Sequence, residues 1–127
     1  MNIKKLATVF GVVFVAVGVL GFVPGITANG NLLGIFEVDL AHNLVHIVTG
    51  IIALAAMTSD KYAKLFFQVF GVVYALVTVV GFVQGSTILG LFGINLADNI
   101  LHLVIALAAL YLGFGVKSAG VPMKVGV

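Results

Sequence analysis

The chain contains two copies of one unit, and each copy has two long apolar segments joined by a short connection. The matching stretches are FGVV (residues 10–13 and 70–73), GFVPG and GFVQG (21–25 and 81–85), LGIF and LGLF (33–36 and 89–92), and AHNLVH and ADNILH (41–46 and 97–102). The first two pairs are 60 residues apart and the last two are 56 apart, so the second copy is shorter in its connection. A duplicated unit places polar residues at matched positions, which restricts both the architecture and the location of any site.

The apolar segments are long enough to cross a membrane. Hydrophobic residues make up 62% of the 127 residues and charged residues only 8%, whereas about a quarter of the residues in a typical soluble domain are charged. A helix of about 20 apolar residues spans the hydrocarbon core. Continuous apolar runs favour helices over a membrane β-barrel, whose strands alternate in polarity. The predicted segments are residues 6–24, 40–57, 65–84 and 97–116.

These features predict a single all-α domain over residues 1–127, a transmembrane four-helix bundle made of two parallel, same-orientation repeats. Repeat 1 covers about residues 6–57 and repeat 2 about residues 65–116. Because each repeat crosses the membrane twice, both repeats begin on the same side. We therefore expect a pseudo-two-fold axis along the membrane normal to relate them.

The lysines predict the orientation of the bundle. They occur at three places, which four crossings would bring to one side of the membrane: Lys4 and Lys5, Lys61 and Lys64, Lys117 and Lys124. The other two connections carry only acidic charges, Glu37, Asp39 and Asp98. The positive-inside rule therefore predicts a multi-pass protein of the inner (plasma) membrane with both termini in the cytoplasm.

Local signals predict how the helices begin, end and pack. Asp39 and Asn95 are suited to cap the second and fourth helices, and Pro24 with Gly25 is expected to end the first helix. Gly21 and Gly25 form a G-x-x-x-G pattern that repeats in the second copy. Small residues let helix backbones approach closely in lipid, so these glycines favour packing within the bundle, with dimerisation as the alternative.

A short polar cluster opens the second apolar segment of each repeat. His42 and His46 are four residues apart, as are Asp98 and His102 in the second copy, so each pair shares one helical face. Asn43 and Asn99 lie beside these pairs. A pseudo-two-fold axis would turn the two faces toward each other and bring three imidazoles and a carboxylate around one point.

Three interpretations of this cluster remain open. Imidazole and carboxylate ligands suit a divalent metal such as Zn, Fe or Mn, so His42, His46, Asp98 and His102 form a candidate metal site. Two histidines on opposing helices could instead ligate a haem, which is a second form of this cofactor-binding interpretation. In the second interpretation, the cluster forms a proton or substrate path. The third interpretation is structural, since polar side chains near helix starts satisfy free backbone groups.

Composition excludes several classes of function. With no cysteine in the chain, neither a disulfide nor a thiolate site can form. A net charge of +2 does not favour a nucleic-acid partner. No nucleophile–base order or phosphate-binding loop is present, so we predict no catalytic residues. We expect a structural or accessory membrane component that packs in the bilayer with itself or with a larger complex.

The residues GFVPGIT at 21–27, LGIF at 33–36 and HNLVH at 42–46 resemble a family of small bacterial four-helix integral membrane proteins that is catalogued as a domain of unknown function. The resemblance covers most of the chain, and the HNxxH stretch is its most specific part. It implies a four-helix membrane protein and carries no activity. The overall shape is also similar to that of DoxX-like four-helix membrane proteins.

Overall fold

The computed structural model describes residues 2–116, and most of these residues lie in four helices. The helices are α1 (Ile3–Leu20), α2 (Leu40–Ala56), α3 (Asp60–Gln84) and α4 (Leu96–Leu110), which continues as a π-helical turn over Tyr111–Gly115. The predicted helical class and the number of helices are confirmed for the described residues. Lys117 and Lys124, on which part of the predicted orientation depends, lie outside them.

Within the described part of the chain, three helices are long and apolar enough to cross a membrane. These are α1, α3, and α4 together with its π-helical turn. Helix α2 is apolar but has 17 residues, a length of about 26 Å that is near the lower limit for a span. The protein is therefore a membrane protein by length and composition, while the fourth crossing and the single-domain organisation stay predictions.

Both predicted N-caps are confirmed. The Asp39 side chain accepts a hydrogen bond from the backbone N–H of His42 at 2.8 Å. The Asn95 side chain accepts from the N–H of Asp98 at 3.0 Å, and the Asp98 carboxylate accepts in return from the N–H of Asn95. This reciprocal capping box satisfies two N–H groups that have no partner within the helix, which sets the start of α4.

Helix α1 ends at Leu20, four residues before the predicted end at Pro24. Continuing the helix would require Pro24 to donate an N–H to the Leu20 carbonyl, and proline has no N–H to donate. The hydroxyl of Thr27 donates to that carbonyl instead, at 2.9 Å. The matched position of the second repeat is Gln84, and α3 continues to that residue. The proline therefore accounts for the four residues by which α3 extends further than α1 at this end.

The connections that follow α1 and α3 form small antiparallel sheets, which the sequence had not predicted. The strands are β1 (Thr27–Ala28), β2 (Asn31–Leu32) and β3 (Phe36–Glu37) in the first connection, and β4 (Thr87–Ile88) and β5 (Phe92–Gly93) in the second. Strand β2 pairs with β1 and β3, and β4 pairs with β5. The longer first connection thus has one more strand.

Glycines bring the helices of each repeat into close contact. A Cβ atom added to Gly50 of α2 would lie 2.7 Å from the Gly11 carbonyl oxygen of α1, and one added to Gly71 of α3 would lie 2.9 Å from the Leu110 backbone nitrogen. Gly21, the first glycine of the G-x-x-x-G pattern, faces Asn43 of α2, whereas Gly25 has open space around it. Packing within the chain is therefore observed for Gly11, Gly21, Gly50 and Gly71, but not for Gly25.

Aromatic side chains from α1 and α3 fill the centre of the bundle. Phe10 packs edge-on against Phe66, Phe67 and Phe70, with ring centroids 4.9–5.6 Å apart. Phe14 and Phe70 are buried nearby. By their positions along α1 and α3, these rings separate the polar cluster near the start of α2 from the lysine-bearing starts of α1 and α3.

Candidate functional site

Three histidines from two helices meet at one point beside the aromatic core. His42 and His46 lie one turn apart on α2, with ring centroids 4.5 Å apart, and His102 of α4 faces His42 at 5.6 Å. Each ring offers one nitrogen that lies within 4.8 Å of a nitrogen of each other ring. We call these three residues the histidine cluster. All three are buried, so the predicted helical faces do converge at the three imidazoles.

Each histidine of the cluster has a ring nitrogen without a partner. The Nδ1 atoms of His42, His46 and His102 are buried and make no hydrogen bond within the described residues. A buried polar atom left without a partner costs about 1–3 kcal/mol, and most native buried polar groups are paired. The Oδ1 atoms of Asn43 and Asn99 are also buried without a partner among the described residues. The three histidines differ from these asparagines because one nitrogen of each imidazole converges with the other two.

Asp98, the fourth predicted ligand, has a different role in this structure. Its Oδ2 atom accepts hydrogen bonds from the backbone N–H groups of Asn95 at 2.9 Å and Glu37 at 3.1 Å. The side chain is only 2% exposed, and it is not among the residues whose ligand atoms converge. Asp98 therefore joins the start of α4 to the end of β3.

Asp39 makes the corresponding link in the opposite direction. Its Oδ2 atom accepts from the backbone N–H of Gly93 at 2.7 Å, and Gly93 is the position in the second repeat that matches Glu37. Each connection is thus bound by a carboxylate of the other repeat. The two carboxylates come from positions that do not match. In repeat 2, Asn95 is at the position of Asp39, and Asp98 is at the position of His42.

Asn43 and Asn99 lie against glycines of the neighbouring helix. Asn43 packs on Gly21, and Asn99 packs on Gly81, to whose carbonyl its Nδ2 donates at 3.3 Å. An added Cβ on either glycine would collide with the amide oxygen of its asparagine. Asn99 is therefore hydrogen-bonded to the neighbouring helix, whereas Asn43 only packs against Gly21. Neither asparagine belongs to the converging nitrogen set.

Two aromatic rings enclose the histidine cluster, and the sequence analysis did not identify them. Phe14 of α1 packs edge-on against His46 at 5.3 Å, and Tyr74 of α3 packs edge-on against His102 at 5.4 Å. Phe14 and Tyr74 are 60 residues apart, which is the repeat offset of these helices. This match could have predicted that both rings belong to the site. Each repeat thus supplies one aromatic ring and one deep histidine.

The cluster is reached from two sides. A groove of about 460 Å³ between α1 and α4 ends at His46 and His102. A smaller cavity of about 120 Å³ between α2 and α3 includes His42, His102 and Tyr74 in its lining. The two openings differ in size, so they suit different molecules.

Comparison with known families identifies the chain. A family model described as a domain of unknown function, DUF4383, matches residues 4–115. The chain belongs to this family. The suspected resemblance to a family of unknown function is therefore confirmed, and the match to DUF4383 includes the whole histidine cluster. The chain matches no curated protein and no solved structure. Membership in DUF4383 brings no activity with it, so the function must be argued from the site.

Proposed function

We propose that this membrane protein binds a divalent transition metal, with zinc as the expected ion, through His42, His46 and His102. The observation that carries the proposal is the convergence of three imidazoles, each of which offers one nitrogen within 4.8 Å of the others. Each of these rings also has a buried Nδ1 without a hydrogen-bond partner among the described residues. Imidazole is a preferred ligand of zinc, copper, iron and nickel. Zinc bound by three histidines keeps a fourth position open for water or another molecule.

The geometry favours a single ion over a haem. In a haem with two axial imidazoles, the porphyrin occupies the plane between the two ligand nitrogens. Here a third imidazole nitrogen lies within 4.8 Å of both others, in the space that the macrocycle needs. A single zinc ion needs less space. The three nitrogens would have to move only slightly closer together for each to lie about 2.0–2.1 Å from the ion.

A proton or substrate path through the bundle has less support. Such a path needs polar groups or water along its length. Beyond the histidine cluster, toward the lysine-bearing end, the centre of the bundle contains the buried rings of Phe66, Phe67 and Phe70. The proposed metal site is therefore reached through the two side openings described above.

We propose the structural role for a different set of residues. Asp39 and Asp98 join the two connections, while Asn43 and Asn99 contact the neighbouring helix within each repeat. Self-association through the G-x-x-x-G faces loses support at Gly21 and Gly81, because each already contacts an asparagine of the same chain. Gly25 and Gly85 have open space around them. The lipid bilayer is the partner that the apolar helices support.

The proposed orientation places the histidine cluster near the outer surface of an inner membrane. The hydroxyl of Thr8 in α1 lies 3.0 Å from the Met57 sulfur at the end of α2, so the start of α1 and the start of α3 are at the same end of the bundle. That end carries Lys4, Lys5, Lys61 and Lys64. The positive-inside rule puts it in the cytoplasm and the acidic connections outside.

Metal analysis of the purified protein tests the proposal. The protein should carry no polyhistidine tag, since a tag would itself bind metal, and it should be equilibrated with zinc in a mild detergent and then desalted. We expect about one zinc per chain in the wild type and loss of this stoichiometric metal in His46→Ala and His102→Ala. A wild-type protein that retains no zinc, copper, iron or nickel would refute the proposal.

Thr49→Val provides the matched control for these substitutions. Thr49 lies on α2, within one turn of His46, and it lines the same small cavity as His42, but it has no imidazole. The variant should bind as much zinc as the wild type. Equal loss of zinc in Thr49→Val and in the histidine variants would show that metal retention reflects general folding rather than ligation.

A further inference from the structure

The groove between α1 and α4 connects the lipid-facing surface of the bundle with the histidine cluster. Its volume of about 460 Å³ lies within the range of about 300–1,000 Å³ that is usual for ligand pockets. Val9 and Val13 stand at its rim and are 54% and 51% exposed. Along α1 the lining runs from Leu6 to Val17, a length of about 16 Å. The groove is therefore long, narrow and open toward the lipid.

The lining of this groove is polar only where it meets the histidine cluster. Besides His46 and His102, the residues around it are aliphatic or phenylalanine: Leu6, Val9, Phe10, Val13, Phe14, Val17, Phe36, Phe67, Leu101, Ile105 and Leu112. Among the described residues, the lining thus has no carboxylate or hydroxyl side chain that could complete the coordination of a metal. A divalent ion bound by three neutral imidazoles keeps its two positive charges, which attract an anionic head group in the groove.

The cavity on the other side of the cluster suits a smaller molecule. Its volume is about 120 Å³, and its lining includes the hydroxyl-bearing residues Thr49 and Tyr74. The two sides of the metal site therefore differ in size, with space for a small molecule on one and space for an apolar chain on the other.

We propose that the groove between α1 and α4 binds a single-chain fatty carboxylate, whose head group fills the open coordination position at the histidine cluster. The proposal rests on the metal site proposed above. Carboxylate oxygen is an accepted zinc ligand and supplies the missing negative charge. The acyl chain lies along the apolar walls, where it exchanges lipid contacts for protein contacts, and it enters sideways from the bilayer without crossing water.

Cobalt substitution provides the test, because the visible absorption bands of Co²⁺ report changes in its ligands. The full-length protein, reconstituted in phosphatidylcholine nanodiscs and loaded with Co²⁺, is titrated with palmitate and separately with methyl palmitate. We expect palmitate to change the Co²⁺ bands at a ratio of about one per chain. Methyl palmitate has the same chain without the carboxylate, and it should leave the bands unchanged.

Substitutions at the rim of the groove separate this proposal from the metal site itself. Val13→Trp should keep the Co²⁺ absorption bands and raise the palmitate concentration needed to change them at least tenfold. If Val13→Trp does not bind Co²⁺, Val9→Trp is used instead. The control is Val48→Trp, at a position of α2 that is exposed to a similar degree and lies outside the groove lining; it should respond as the wild type does.

Each failure has its own signature. Co²⁺ bands that palmitate does not change, or a response that persists in both rim variants, would overturn the fatty carboxylate proposal and leave the metal site standing. A response to methyl palmitate equal to that for palmitate would overturn the role of the carboxylate. Failure of the wild type to bind Co²⁺ would overturn the metal site, and the fatty carboxylate proposal with it.

Discussion

Replacing Asp98 should destabilise the fold without removing the metal. The side chain is almost fully buried, and its Oδ2 atom alone accepts both hydrogen bonds, from Asn95 and from Glu37. In Asp98→Asn the amide oxygen can take the place of Oδ2 and keep both bonds in neutral form. In Asp98→Ala both N–H groups lose their acceptor.

The expected magnitudes follow from these two bonds. A hydrogen bond to a charged group contributes about 1.5–3 kcal/mol and a neutral one about 1 kcal/mol. The two N–H groups lie in residues that are only partly buried, so the lower parts of these ranges apply. We expect Asp98→Asn to lower the free energy of unfolding by about 1–2 kcal/mol. Asp98→Ala should lower it by about 2–4 kcal/mol, because it adds unsatisfied donors.

Unfolding in mixed micelles with increasing SDS, followed by circular dichroism, measures both changes. A chelator should be present throughout, because bound metal stabilises the folded state by mass action and would obscure the comparison. Zinc content is measured separately, and we expect Asp98→Asn to bind as much zinc as the wild type. Loss of zinc in Asp98→Asn, at unchanged stability without metal, would refute the structural role and restore Asp98 as a ligand.

Three further predictions address packing, helix length and topology. Gly50→Ala should lower the free energy of unfolding by about 1–3 kcal/mol, because the added Cβ meets the backbone of α1. Val48→Ala, on the exposed face of α2, should change the SDS unfolding curve much less. Pro24→Gln should add about one turn of protected amides at the end of α1 in hydrogen exchange; unchanged protection there would contradict the account of helix length. Cysteine at Ala28 should react with an impermeant reagent added outside, and cysteine at Thr58 should not; the opposite pattern would reverse the proposed orientation.

Much of the helical framework could be predicted from the sequence. Apolar segments of about 20 residues in a chain with few charges specify membrane helices, because the backbone must satisfy itself in lipid. Asp39 and Asn95 marked the starts of α2 and α4 correctly, since capping depends on a few adjacent residues. The predicted end of α1 was four residues too late. This error was avoidable, because Pro24 affects the Leu20 carbonyl one turn earlier and this effect is also local.

The polar cluster could be predicted only in part. The convergence of His42, His46 and His102 followed from helical spacing and from duplication. The spacing of Asp98 and His102 suggested that Asp98 belongs to the same site. The structure instead places Asp98 at the backbone of Glu37, a contact between residues 61 positions apart. No local pattern encodes such a contact, because it depends on how the two connections pack against each other.

The sequence by itself determined that this is a helical membrane protein with matched polar positions, because hydrophobic length and helical period are local properties of the chain. Only the tertiary structure decided which polar residues face one another. It brought nitrogens of three histidines together and placed the carboxylates and asparagines at contacts between helices and connections. The physical reason is that spacing places residues on a helical face, whereas the packing of α1, α2, α3 and α4 determines what that face contacts.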